Sequence, residues 1–330
     1  MSSTSPFYSV PQEKIDFYWQ HGWVTLEDVI PPAELVRCAS LSTPLSSLFL
    51  LLSPFLHHFL PLPFLSLFLS LLLQTRIKGL LDDMIAGRID TRRNRADLGG
   101  HVDRVQPLTE NIIQIGWPTD LTSALEENLL IQRGRTISDQ LYRDGPGTWA
   151  MDMNQFLVKV AHTDTDTPLH QDQSYYIKME DQRAANLWLA LEDVTDEMGC
   201  LWFEESPLEE PAALRPHRGA GRGTGALMCD GEVRGPHLTC CPLRAGSITV
   251  HSHLTPHYAK GNTTDKTRYG YVVQTRPAAS VREARVRVFF ASLVRGCAFL
   301  FRFCFPPSPT GWPFPHPYQL KHKTTTFLGK

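Results

Sequence analysis

His170-Gln171-Asp172, followed 87 positions later by His257 and another 11 positions on by Arg268, is the set of residues in this chain best suited to chemistry. Two imidazoles and one carboxylate can hold one face of an octahedral Fe(II), leaving the other positions open to dioxygen and an organic co-substrate. Residues two apart on a strand point to the same side, so His170 and Asp172 can reach one ion together. A later strand must bring the third ligand. His251, His253 and His257 compete for that place, and spacing favours His257. It follows the apolar run Ser247-Ile248-Thr249-Val250 and precedes a turn through Lys260-Gly261-Asn262, after which Arg268 opens Tyr269-Gly270-Tyr271-Val272-Val273. A guanidinium delivered there could grip a carboxylate through two parallel hydrogen bonds. A His-x-Asp pair alone is a weak signal, because His162-Thr163-Asp164 supplies another. That copy sits in a polar run ending at Thr167 and reads as a solvated turn, whereas Pro168-Leu169 and Tyr175-Tyr176 flank the second copy.

The elements that must position these residues are mostly strands. Lys14 to Gln20 reads as a short helix running into a strand over Gly22-Trp23-Val24-Thr25-Leu26, and Pro31-Pro32-Ala33-Glu34-Leu35 begins a second helix with proline in its first turn. Ile77, Leu80, Leu81, Met84 and Ile85 recur at helical spacing up to Ile89, so this helix is expected to cover a sheet. Beyond Gly99 the pattern changes to short β-rich segments: 112–115, 156–160, 186–191, 201–203, 247–250 and 269–274. Many short strands after an initial helical layer predict a mainly β fold with flanking helices, a barrel or jelly roll rather than alternating βα units.

Composition narrows the class. The chain has 330 residues with 42% hydrophobic content, enough for a large core, and its formal net charge of −2 leaves no electrostatic footprint for nucleic acid. Seven cysteines without a CxxC pair make a poor disulfide framework and suggest reduced thiols. No basic region followed by an apolar run opens the sequence, so a cytoplasmic protein is the expectation.

Two stretches read differently. No Asp, Glu, Lys or Arg occurs between Arg37 and Arg76, and 31 of the 34 residues from Ser40 to Leu73 are Leu, Phe, Ser or Pro. The run is long enough to span a bilayer, but Pro54, Pro61, Pro63 and His57-His58 interrupt it and leave only Phe64 to Leu73 unbroken, which argues against a membrane anchor. Leu, Phe, Ser and Pro share pyrimidine-only codons, so residues 38–75 have the character of a translated intron or a lineage-specific insertion. Residues 285–330 form a second anomalous stretch, rich in Phe and Pro, in which 286–293 could still pair as a β-segment. The expected organisation is therefore 1–37 as the N-terminal part of the catalytic domain, 38–75 as the insertion, 76–284 as the catalytic domain and 285–330 as a tail.

The series His170-Gln171-Asp172, Asn186-Leu187-Trp188-Leu189-Ala190-Leu191, Gly199-Cys200-Leu201-Trp202-Phe203, His257 and Arg268 resembles the phytanoyl-CoA dioxygenase family. Phe17-Tyr18-Trp19-Gln20-His21-Gly22-Trp23-Val24 is similar to that family's N-terminus. The resemblance covers roughly residues 14–37 and 76–283, and the 11-residue step from His257 to Arg268 is its most specific feature. It implies a double-stranded β-helix (jelly roll, cupin-like) core, Fe(II) as the metal, 2-oxoglutarate as co-substrate and O2 as oxidant. By position it implies His170, Asp172 and His257 as iron ligands, and Arg268 on the distal carboxylate of 2-oxoglutarate. It also puts Gln171 and Trp188 in the pocket lining, and Thr255 is a further candidate donor there. Lys159 could touch an anion, although a solvated lysine is the plainer reading. Glu205-Ser206-Pro207 departs from the family, which often carries Gly-Ser-His at this point, and this leaves the substrate's shape open. Asp172, a carboxylate where a small residue would admit halide, favours hydroxylation over halogenation.

The expected activity is hydroxylation of a small-molecule substrate with conversion of 2-oxoglutarate to succinate and CO2. The alternatives are a non-catalytic cupin-like binding barrel and a metal-dependent cupin enzyme that needs no keto acid.

Overall fold

The computed structural model describes residues 5–31, 77–91, 94–99, 110–176, 178–220, 226–229 and 238–287. Helix α1 (Gln12–His21) begins after Pro11 and ends at Gly22, whose φ of 78° closes the helix with its N–H on Tyr18 O. A Cβ at Gly22 would lie 2.1 Å from the Ser206 carbonyl oxygen, so both the left-handed turn and the close approach require glycine here. Strand β1 (Trp23–Leu26) follows at once. Helix α2 (Ile77–Ile85) buries Ile77, Leu80, Leu81 and Met84. The helix expected from Pro31 and the Leu/Phe/Ser/Pro-rich run lie outside the described residues.

A seven-stranded antiparallel sheet carries the order β1-β11-β6-β13-β4-β3-β2, with β2 at Arg95–Asp97, β3 at Ile112–Gly116, β4 at Trp149–Lys159, β6 at Ala185–Ala190, β11 at Ile248–Ser252 and β13 at Arg268–Pro277. A four-stranded sheet runs β10-β7-β12-β5, with β5 at Thr167–His170, β7 at Leu201–Glu204, β10 at Leu238–Cys241 and β12 at His257–Ala259. A small hairpin of β8 (His217–Gly219) and β9 (Leu227–Cys229) completes the strands described. This is the expected mainly β fold with flanking helices and a jelly-roll core. Because β1 pairs with β11 from Trp23↔His251 to Leu26↔Ile248, the N-terminal segment is built into the large sheet.

Strand alternation separates two apolar layers. On β6, Leu187 and Leu189 join Tyr18, Leu81, Ile131, Ile137, Leu141, Val250 and Tyr271 in the core between the sheet and its helices. Trp188 and Ala190 point the other way and pack with Val272, Phe203 and Leu201 between the sheets. All six residues of β6 are buried, as a central strand covered on both faces requires. Helix α3 (Leu129–Leu141) was not anticipated. Asn128 caps it by accepting from the N–H groups of Leu130 and Ile131, and Leu130, Ile131, Gly134, Ile137, Ser138 and Leu141 form its buried stripe. Gly134 lets α3 settle on β6, with Leu187 Cδ2 3.4 Å from where a Cβ would stand. Residues 278–287 are helical, which replaces the start of the β-segment expected from Val286; 288–293 lie outside the described residues.

Candidate metal centre

His170 is the last residue of β5 and His257 the first of β12, and the two are direct cross-strand partners. Asp172 opens a short 3-10 turn, Asp172–Tyr175, so the His-x-Asp pair straddles a strand end and is not held on one strand as expected. The turn brings the carboxylate back to the imidazoles. Asp172 Oδ1 lies 3.5 Å from His170 Nε2 and 3.9 Å from His257 Nε2. One ligand atom from each of these residues falls within 4.8 Å of the others.

Both rings are oriented from behind. His170 Nδ1 donates to Pro168 O at 2.7 Å, and His257 Nδ1 donates to Thr255 O at 3.0 Å. Each carbonyl fixes the proton on Nδ1 and turns the Nε2 lone pair toward Asp172, the tautomer a metal requires. Burial, with His170 and His251 nearby, pushes His257 well below the usual imidazole range, so this ring is neutral at pH 7. Burial pushes the Asp172 carboxyl up, but His257, His170 and His251 outweigh it and hold the group ionised, well below the usual carboxylate range.

The rival histidines have other partners. His251 Nε2 faces the other carboxylate oxygen, Asp172 Oδ2, at 3.1 Å. His253 bonds to Gln274 at 2.6 Å and to Arg276 Nη2 at 3.2 Å, and stacks on Tyr176. His162 is exposed and pairs with Asp265 at 2.8 Å, far from the role its own His-x-Asp spacing suggested.

Arg268 heads β13 at 2% exposure. Its Nη1 donates to Gly199 O at 2.7 Å, its guanidinium lies 5.1 Å from the centroid of the Trp188 ring, and its Nε has no hydrogen-bond partner. No carboxylate pairs with it among the described residues, and burial pushes its pKa down to about 10. Gly270 faces Trp188 so closely that a Cβ would stand 2.5 Å from the indole. The indole Nε1 is likewise buried without a partner.

Three sequence expectations need correction. Gln171 is fully buried and its amide is taken up by backbone: Nε2 donates to Ala213 O and Leu254 O, and Oε1 accepts from Arg215 N. It ties the segment before β8 to the site and has no polar atom left for a co-substrate. Thr255 donates to Gly22 O at 2.8 Å and pairs with Ser252 Oγ, so it anchors the α1–β1 junction instead of lining a pocket. Lys159 is not solvated. It is 0% exposed, and its ammonium donates to the carbonyls of Thr165, Ala259 and Lys260. Burial and the adjacent Arg268 charge depress its pKa well below the usual lysine range. Cys200, Cys229, Cys240 and Cys241 are free among the described residues. Asn186, missed in the sequence, donates to Asp172 Oδ2. Only the pairing of β6 with β11, which sets Asn186 opposite His251, could have pointed to it.

The buried histidines predict a pH response. Burial and Arg276 push His253 well below its usual range, as burial does His257. The unfolded chain takes up protons on these rings near pH 6.5 while the folded protein does not, so stability falls as pH drops below that value. The loss approaches about 1.4 kcal/mol per pH unit for each such ring. Thermal melts between pH 7.5 and 5.5 should show it, with a flatter profile in His253→Asn; an unchanged slope in that variant would remove His253 from the account.

Fold and cluster together define the class: a jelly roll enclosing two histidines and one carboxylate, with a buried arginine at the head of β13. The sequence profile of the family described as phytanoyl-CoA dioxygenase (PhyH) matches residues 135–270. The resemblance stated from the sequence is thus borne out over this stretch of the chain. Phytanoyl-CoA dioxygenase domain-containing protein 1 of Mus musculus is 27% identical over 129 residues, 38% of this chain and 44% of that protein. The Bos taurus protein of the same name is 28% identical over 130 residues, with the same coverage. The matched region therefore spans less than half the length of these relatives. Among solved structures, EvdO2 from Micromonospora carbonacea var. aurantiaca complexed with 2-oxoglutarate superposes with a TM-score of 0.54 at 21% identity, covering 82% of this chain and 93% of that one. The epimerase SnoN in complex with Fe3+, alpha ketoglutarate and nogalamycin RO gives 0.52 at 16% identity, covering 81% and 83%. At these identities the likeness is one of fold. No helix among the described residues is long and apolar enough to cross a membrane.

Proposed function

We propose that this protein is an Fe(II)- and 2-oxoglutarate-dependent dioxygenase that hydroxylates a small organic substrate, converting 2-oxoglutarate to succinate and CO2. The observation that carries this reading is the pairing of two sites. His170, Asp172 and His257 converge their ligand atoms within 4.8 Å, and Arg268 is buried on the indole of Trp188 with no carboxylate paired to it among the described residues. A buried cation without a counter-charge is costly, and a carboxylate supplied by a ligand would offset that cost. Fold relatives crystallised with 2-oxoglutarate or with iron support the same assignment.

The donor set fits the ion: two imidazoles presenting Nε2 and one ionised carboxylate suit ferrous iron, with other coordination positions left for reactants. When bound, Fe(II) would supply the redox chemistry that couples 2-oxoglutarate decarboxylation to oxidation of a substrate C–H bond. The protein's own residues do the rest. Pro168 O and Thr255 O hold the imidazoles, Arg268 would fix the distal carboxylate of 2-oxoglutarate, and Trp188 would form the floor beneath it. Phe203 and Val272 keep water from the space between the sheets. We also place the catalytic unit in residues 1–37 and 76–284, since β1 is a strand of the large sheet and α2 belongs to its core.

Incubating the purified chain with Fe(II), 2-oxoglutarate and a metabolite panel tests the reading. A substrate that raises succinate formation and gains one oxygen atom is the expected result. Oxygen consumption that proceeds without a keto acid would overturn it.

A further inference from the structure

Asp172 has two oxygens, and the structure treats them differently. Oδ1 faces the two imidazoles, at 3.5 Å from His170 Nε2 and 3.9 Å from His257 Nε2. Oδ2 receives Asn186 Nδ2 and, at 3.1 Å, His251 Nε2. These two donors come from adjacent strands, where Asn186 of β6 and His251 of β11 are direct cross-strand partners. Both are buried, at 4% and 3% exposure. His251 Nδ1 has no hydrogen-bond partner, so the ring fits its site as the Nε2–H tautomer, in which the orphaned atom is a lone pair and not an N–H. His251 also lacks the backbone carbonyl that directs His170 and His257. Its ring is fixed by packing, with centroids 4.3 Å from His257 and 5.1 Å from Phe203.

We propose that His251 and Asn186 are positioning residues that occupy Asp172 Oδ2, so that the carboxylate meets the metal through Oδ1 alone. This inference rests on the metal-centre reading above. A carboxylate free at both oxygens can chelate one ion with both of them; one whose second oxygen accepts two hydrogen bonds has a single oxygen to offer. The effect is to keep a coordination position open for reactants. His251 is thereby assigned away from the ligand set, although its spacing made it a competitor of His257.

The test uses the full chain, stripped of metal and titrated anaerobically with Co(II), which reports both affinity and coordination through its d–d absorption. His251→Phe removes the donor while keeping an aromatic ring, and His251→Gln places an amide N–H near the original Nε2. The expected result is a 10- to 100-fold loss of Co(II) affinity in His251→Phe, the usual range for removing a group behind a metal ligand, together with a changed d–d spectrum. His251→Gln should recover affinity to within about threefold and restore the wild-type band. If His251→Phe does not fold, as judged by circular dichroism, Asn186→Leu removes the other donor and should show the same two changes. Wild-type affinity and an unchanged spectrum in the folded donor-less variant would overturn the positioning role alone. Failure of wild type to bind Co(II) would overturn the metal centre, and the positioning role with it.

Discussion

Asp172→Ala should reduce Fe(II)-dependent conversion of 2-oxoglutarate to succinate by more than about 100-fold, since loss of a ligand should exceed the 10- to 100-fold typical of groups behind it. Among the described residues Asp172 is the only carboxylate in the cluster with His170 and His257, and its removal leaves three imidazoles, His170, His251 and His257, around an uncharged gap. Metal titration and succinate formation should fall together. Asp164→Ala, at the exposed copy of the motif, should leave both unaltered. Equal losses at the two aspartates would mean that the buried carboxylate has no special role.

Arg268→Met should weaken 2-oxoglutarate binding by about 30-fold or more, the range for removing one partner of a buried charged pair, while leaving metal affinity close to wild type. The same substitution should raise the thermal midpoint of the ligand-free protein. Arg268 is buried with no carboxylate to meet it among the described residues, and an apolar side chain of similar volume relieves that burden by about 1–4 kcal/mol. Each kcal/mol corresponds to roughly 2–4 °C in a large domain. Arg268→Lys keeps the charge but loses the planar fork, so its affinity should fall between the two. Opposite signs for stability and binding distinguish a ligand-anchoring arginine from a structural one. A variant that lost stability and kept 2-oxoglutarate affinity would place the carboxylate elsewhere.

The residues legible in the sequence were those whose chemistry survives without knowledge of register. His170, Asp172, His257 and Arg268 announce themselves by type and spacing, and the structure brings the first three together. The alternating apolar runs of β3, β6, β11 and β13 were equally plain, and with them the jelly roll. Helix α3 was overlooked although Leu130, Ile131, Gly134, Ile137 and Leu141 carry its period, because Arg133, Arg135 and Asp139 dilute the apolar signal. Gln171 and Thr255 were misjudged for another reason: proximity to a ligand in sequence does not reveal which backbone groups need a partner. Lys159 is the clearest case, since its burial depends on three carbonyls from segments up to 101 residues away. Asn186 and His251 become meaningful only once β6 and β11 are paired.

The carbonyls of Pro168 and Thr255, each two residues before the histidine it restrains, make the choice of ring tautomer a local matter. The short segments Pro168-Leu169-His170 and Thr255-Pro256-His257 each carry their own proton inventory. Arrival of a cation then requires no hydrogen to migrate from one ring nitrogen to the other, and capture of the ion is separated from proton traffic within either imidazole. What long-range folding must still supply is convergence, the meeting of two pre-addressed imidazoles across β5 and β12.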